Sequence, residues 1–350
     1  MAIELSNLTF TEQDDTVPPS GMEPISNTGI ANTLAGNDTI TGIRTSLDPV
    51  EFSISGFYNT GTLNTSDGND IITGISHADY NNGISNLGTI NTDDGDDTIT
   101  GGGISSLTNY STITTGNGND LITGNSEEAA GIYSRGYINS GEGEDTLTGN
   151  SKVYGIFNGL GNQLDSSTID TGGGGDIITG IAAFGIFNTG IINTGNGADS
   201  IISDSSSNSG TGYGFFNGGI INTGNGNDLI TEVSSRSIFN YGIIDTGNGD
   251  DSLIANGGFY EDSYQIPGSV FLGNGKDYLK GFGSGEFSGG NDEDKLELTS
   301  GTYTVGKWYT AVTFTKGDQL MITSEFEKLI VGSTTYDFSS LTKGQTITVA

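Results

Sequence analysis

The side chains best suited to chemistry in this chain are aspartates, and they recur in one setting. Asp38, Asp70, Asp97, Asp120, Asp145, Asp176, Asp199, Asp228 and Asp251 share it. Two positions before each stands a glycine: Gly36, Gly68, Gly95, Gly118, Gly143, Gly174, Gly197, Gly226 and Gly249. Five before is Thr or Ser, from Thr33 and Thr65 through Ser140 to Thr246, and two after is Ile or Leu. Eleven before is usually Asn, as at Asn27, Asn59, Asn86, Asn109, Asn188, Asn217 and Asn240, with Ser134 in one copy and Asn158 displaced by an insertion. Nine copies of a unit close to GIxNxGxIxTGxGxDxI result. LGNGKDYLKG at 272–281 adds Asp277, and SGGNDEDKLEL at 288–298 is a weaker copy. Carboxylates repeated beside glycine turns, whose exposed carbonyls add neutral oxygens, are the donor set of a hard divalent cation. Calcium tolerates the irregular geometry better than magnesium.

The elements that position these residues must be short. The pieces between turns, such as FNTGIINT and DLIT, alternate outward polar with inward aliphatic residues, and none is long enough for a helix. One unit alone cannot close a core; stacked units bury a continuous column of Ile, Leu and Phe. The spacing therefore predicts an all-β protein, a parallel β-helix or β-roll solenoid of about nine to eleven coils with a C-terminal β cap. The shortest repeat is 23 residues, and longer copies differ at one place, with insertions at 43–55, 75–82 and 204–213 that would emerge at one corner. The expected division is an N-terminal cap or leader over 1–23, repeats over 24–298, and a cap over 299–350 that reads as short strands. Asn stacked at an inside turn would form a ladder satisfying neighbouring backbone groups. Trp308 is expected in the core of the cap.

Stacking has an electrostatic cost. Strands repeat at about 4.8 Å, so adjacent carboxylates repel by about 1 kcal/mol in water and about 3–4 kcal/mol at an effective dielectric near 20. Further acids at Asp67, Asp93, Asp94, Asp96, Glu142, Glu144 and Asp250 add to it. The whole chain of 350 residues carries a net charge of −32, with 59 Gly and no Cys. Seven of the eight Lys lie at 276 or later, and between 24 and 255 the cations are Lys152, Arg44, Arg135 and Arg236. Such a chain repels nucleic acid and needs bound cations to neutralise its acidic column. No stretch approaches the roughly 20 apolar residues of a membrane span. The start, MAIELSNLTFTEQDDTV, has no basic segment followed by an apolar run and so does not read as a secretory signal.

TGNGND followed by an aliphatic residue two places on resembles the repeat-in-toxin nonapeptide, GGxGxDxUx, of hemolysin-type calcium-binding proteins. The likeness is distributed over 33–297. It implies several Ca²⁺ ions between successive turns. Their ligands would come from the nine aspartates and Asp277, with carbonyls at Gly68, Gly95, Gly118, Gly143, Gly174, Gly197, Gly226 and Gly249. It further implies an extracellular or cell-surface protein exported by a type I secretion apparatus through an uncleaved C-terminal signal, here within 299–350, as in secreted cyanobacterial proteins of this type. The chain departs from the family in placing Thr or Ser at the first glycine and a longer GIxNxG connection between turns.

Nothing in the sequence reads as catalytic. HExxH and GxSxG are absent, and His77 is the one histidine. Carboxylate pairs abound, but all belong to a repeated turn. Two other readings stay open. One is a β-helix that binds or cleaves extracellular polysaccharide. The other is an ice binder or adhesin spacer, using the Thr/Ser column with its neighbours Asn64, Asn91, Asn139, Asp170, Asn193, Asn222 and Asp245 as a regular outer array.

Overall fold

A computed structural model describes residues 2–19, 22–45, 55–77, 82–161, 165–205, 213–260 and 267–350. Three parallel sheets run along one axis, and each repeat gives one short strand to each. The GIxN segments form a ten-stranded first sheet, from Ile3–Glu4 to Ile238–Asn240. The xIN segments begin a fifteen-stranded second sheet, and the DxIxG segments a fourteen-stranded third. Short strands arise because glycine turns interrupt every three to six residues, and because alternating side chains commit one face of each strand to the interior.

Register is constant from coil to coil. In the third sheet Ile40, Ile72, Ile99, Ile122, Leu147, Ile178 and Ile201 pair in succession. In the second, Leu63, Ile90, Ile113, Ile138, Ile169 and Ile192 do the same. All are fully buried and form one core with the first-sheet column Ile84, Leu107, Ile132, Ile156 and Ile186. A register slip of one residue would turn these columns outward, so the aliphatic pattern itself fixes the stacking.

The Asn column is the ladder its position implied. Asn27, Asn59, Asn86 and Asn109 are fully buried, and each Nδ2 donates to the next Oδ1 at 2.8–2.9 Å. At Ser134 the chain weakens, with Asn109 Nδ2 to Ser134 Oγ at 3.4 Å. Across that gap Asn158 Oδ1 is buried without a partner. The ladder then resumes through Asn188, Asn217 and Asn240 at 2.9 Å. Replacing Asn188 by Ala strands partners on both sides and is expected to cost about 2–4 kcal/mol. Asn188→Ser, which copies position 134, should cost less, and urea unfolding in saturating calcium measures both.

The first sheet stops at Ile238–Asn240, and beyond it Phe259, Phe282, Phe287 and Tyr303 fill the core. At the N-terminal end Ile3–Glu4 pair with Ile25–Ser26, and Thr16–Val17 with Thr39–Ile40. At the other end the strands Gly301–Trp308, Ala311–Lys316 and Gln319–Ser324 turn antiparallel and extend the second sheet. Trp308 is not in the cap core. It is the last residue of its strand, at a hairpin tip beside the almost fully exposed Tyr309, and is 54% exposed. The flanks of the insertions at 43–55, 75–82 and 204–213 lie between the third and first sheets; most of those insertions falls outside the described residues.

Candidate metal column

Each repeated Asp sits where the glycine turn delivers the chain from the second sheet to the third. Its Oδ1 accepts the backbone N–H of the Asp one rung earlier, at 2.7–2.9 Å, from Asp38 through to Asp277. The predicted aspartates are thus brought together as one continuous column. Three residues extend it beyond those assigned from sequence. Asp15 N–H donates to Asp38 Oδ1 at 2.8 Å, Asp277 N–H to Asp294 Oδ1 at 2.9 Å, and Asp294 N–H to Glu327 Oε2 at 2.9 Å.

The second carboxylate oxygen differs. The Oδ2 atoms of Asp38, Asp70, Asp97, Asp120, Asp145, Asp176, Asp199, Asp228, Asp251, Asp277 and Asp294 are buried and accept no hydrogen bond of ordinary geometry. The hydroxyl five residues before, as Thr65 at Asp70 or Thr92 at Asp97, lies near enough to lower the carboxylate's pKa and only partly offsets burial. A buried carboxylate oxygen without a donor is costly. Burial, with the charges of adjacent rungs adding to it, pushes Asp70, Asp97, Asp176 and Asp277 up to about 7. It pushes Asp120, Asp228, Asp251 and Asp294 up to about 6, and Asp38, Asp145 and Asp199 upward as well. Among the described residues no three His, Cys, Asp or Glu side chains converge on a single point. A cation on this column would therefore need main-chain oxygens too.

The glycine column supplies them. Gly36, Gly68, Gly95, Gly118, Gly143, Gly174, Gly197, Gly226 and Gly249 all have φ between +130 and +152°. Their carbonyls stack tightly on the next rung; a Cβ on Gly197 would lie 1.4 Å from the Gly174 oxygen. Among the described residues no backbone N–H donates to the carbonyls of these glycines. Gly197→Ala combines a forbidden φ with a backbone collision and is expected to cost about 3 kcal/mol or more. Gly102→Ala is the control, because its Cβ meets no atom closer than 3.6 Å. Urea midpoints in calcium compare the two.

The Thr/Ser column faces inward. Thr33, Thr65, Thr92, Thr115, Ser140, Thr171, Thr194, Thr223 and Thr246 are fully buried. Thr33, Thr92, Thr115 and Thr223 Oγ1 donate to the carbonyl of the next rung at 3.0–3.2 Å. This column is therefore not part of any outer array. Its neighbours Asn64, Asn91, Asn139, Asp170, Asn193, Asn222 and Asp245 are half-buried on the outer surface. Outside the buried column a second acidic layer, Asp67, Asp93, Asp94, Asp96, Glu142, Glu144 and Asp250, lies in solvent. His77 is an exposed residue whose backbone N–H donates to the Arg44 carbonyl.

No protein-family model matches the chain, and no curated protein does. Among solved structures it is similar to a hyperactive, Ca²⁺-dependent, β-helical antifreeze protein from an Antarctic bacterium. The two share 17% identity over 95% of this chain and 96% of that one, with a TM-score of 0.45.

Proposed function

We propose that the aspartate column is a row of calcium sites and that the protein is a calcium-stapled rod with a structural, surface or adhesive role outside the cell. The observation carrying this reading is the run of eleven buried Oδ2 atoms without donors. Each gap offers carboxylates from two rungs and the unbonded carbonyls of the glycine turn, an all-oxygen set suited to calcium. The ligands are Asp38, Asp70, Asp97, Asp120, Asp145, Asp176, Asp199, Asp228, Asp251 and Asp277, with Asp294 closing the row. The carbonyls come from Gly68 through Gly249. A rod whose charge is neutralised only by bound calcium folds where calcium is plentiful, which suits export in an unfolded state through a type I apparatus. Extracellular polysaccharide or a cell-surface layer is the natural setting for it. Equilibrium dialysis followed by metal analysis tests the reading. Eleven carboxylates leave on the order of ten gaps, and the double variant Asp145→Ala, Asp176→Ala should lose roughly three ions. An unchanged count in that variant, or a count near zero in the parent, would rule the column out.

A second reading, ice binding, rests on a different face. On the outer side of the third sheet Thr41, Thr73, Thr100, Thr123, Thr148 and Thr179 pair in unbroken register. Beside them runs a row of Thr39, Ile71, Thr98, Leu121, Thr146 and Ile177. A regular array of methyls and hydroxyls at the strand repeat of about 4.8 Å is a surface that ordered water can match. Ice grown in the folded protein would then be faceted, and Thr123→Lys would reduce the faceting. Round crystals with the parent protein dismiss this reading and leave the calcium column untouched.

A further inference from the structure

The outer side of the first sheet carries two rows of aromatic rings. In one, Tyr133, Phe157, Phe187 and Phe216 pair in register, with centroids 5.2, 4.7 and 4.3 Å apart. In the other, Tyr154 stacks on Phe184 at 5.1 Å. On the N-terminal side the register partners are no longer aromatic, although Tyr110 meets Tyr133 edge-on at 6.0 Å. The register partner of Tyr133 one rung earlier is Thr108, and that of Tyr154 is Ala130. The Tyr154 ring thus stacks on Phe184, meets Phe157 and Phe187 edge-on at 5.0 and 5.6 Å, and along its row is followed on the N-terminal side by the small residues Ala130 and Ser105. Above those small residues lies a groove of about 740 Å³, within the range of small-ligand sites.

The groove has a charged wall. Arg135 is exposed, and its guanidinium carbon lies 5.2 Å from the Tyr133 ring centre and 5.9 Å from that of Tyr110. The two rings meet edge-on, 76° apart, so the guanidinium sits in the corner between them, held by cation–π attraction with N–H donors to spare for a carboxylate. Among the described residues no carboxylate lies within ion-pair distance of Arg135. It is one of four cations between 24 and 255. Asn82, Ser105 and Glu128 add hydrogen-bonding groups to the lining.

We propose that this groove binds an acidic polysaccharide, with a pyranose ring continuing the stack on Tyr154 and its uronate carboxylate paired with Arg135. The Tyr154 ring, lining the groove beside small residues, suits the apolar side of a sugar, and the polar lining suits its hydroxyls. The net charge of −32 repels a polyanion at long range, so selection of its charge is local, through Arg135 against the single lining carboxylate Glu128, and is expected to strengthen with salt that screens the rest. The site uses no residue of the aspartate column, so its success or failure is separate from the calcium reading.

Isothermal titration of the folded full-length protein with hexagalacturonate, against cellohexaose at the same calcium concentration, tests it. The acidic sugar should bind and the neutral one bind at least about tenfold more weakly. Arg135→Gln should remove that preference. Ser105→Tyr, which prolongs the stack into the groove, should abolish binding of both. Circular dichroism in calcium checks that each variant is folded. Equal binding of the two sugars, no binding of hexagalacturonate at millimolar concentration, or binding indifferent to both substitutions would overturn the proposal; the last would place the sugar on the calcium-bearing side.

Discussion

In EDTA at pH 8 the protein is expected to lose its far-UV β spectrum, and calcium is expected to restore it where equimolar magnesium does not. The column dictates this. Eleven backbone N–H to Oδ1 bonds place the carboxylates of Asp38 through Asp294 in one buried file beginning from Asp15, each with its Oδ2 unpartnered. Repulsion of about 3–4 kcal/mol per adjacent pair at the effective dielectric of a partly buried file, summed along it, exceeds the roughly 5–15 kcal/mol by which domains are ordinarily stable. A ligand that binds only the folded state supplies the missing free energy. Magnesium, with stricter octahedral demands, fits turn carbonyls poorly. A β spectrum that persists in EDTA and ignores calcium would remove the metal from the account altogether.

The second large effect is an inversion of pH dependence. Without calcium, protons are the available neutralisers. Burial raises the folded-state pKa of Asp70, Asp97, Asp176 and Asp277 to about 7, and of Asp120, Asp228, Asp251 and Asp294 to about 6. The unfolded value is about 3.9. Between these limits the native state binds more protons than the unfolded state, so its stability falls as pH rises. The proton-linked contribution is complete below about pH 4 and gone above about 7. Protein stripped of metal should therefore keep its β spectrum at about pH 4.5 and lose it by about pH 7.5. With calcium present the order reverses, because the ion requires the deprotonated carboxylates. A metal-free protein with more β signal at pH 7.5 than at pH 4.5 would contradict the buried, unpartnered column.

Much of this was legible in the sequence, and the gaps have physical causes. The solenoid follows from nine repeats of the Asp, Gly and aliphatic positions. The Asn ladder follows from strand parity, since Asn86 lies two residues from the inward Ile84 and shares its face. The same parity argues that Thr92, two residues after the inward Ile90, is buried; the array reading had turned that column outward. The ends of the Asp column were obscured because they lack the glycine. Asp292 and Glu325 occupy the positions two before Asp294 and Glu327, with φ of +86 and +59°. Non-glycine residues there adopt the turn, so 288–298 reads only as a weak copy with no ligand assigned in it, and the turn before Glu327 is not seen. The aromatic rows lie at the variable position of GIxN, at Tyr133, Phe157, Phe187 and Phe216, where aligning on shared residues conceals them.

The Asp hydrogen bonds all run one way: each rung gives its N–H to the next and receives one from the rung before. The Asn side chains follow the same sense. Along the Asp column every internal junction repeats the same donation, with Ser134 the one interruption of the Asn ladder beside it, and the two ends are not interchangeable. A gene that duplicates or deletes one whole repeat rejoins matching surfaces and changes only the rod's length. A deletion that is not a whole repeat cannot rejoin both ladders at once. Length in this protein is thus set by the number of whole units, while Glu327 at one end and Asp15 at the other close the file.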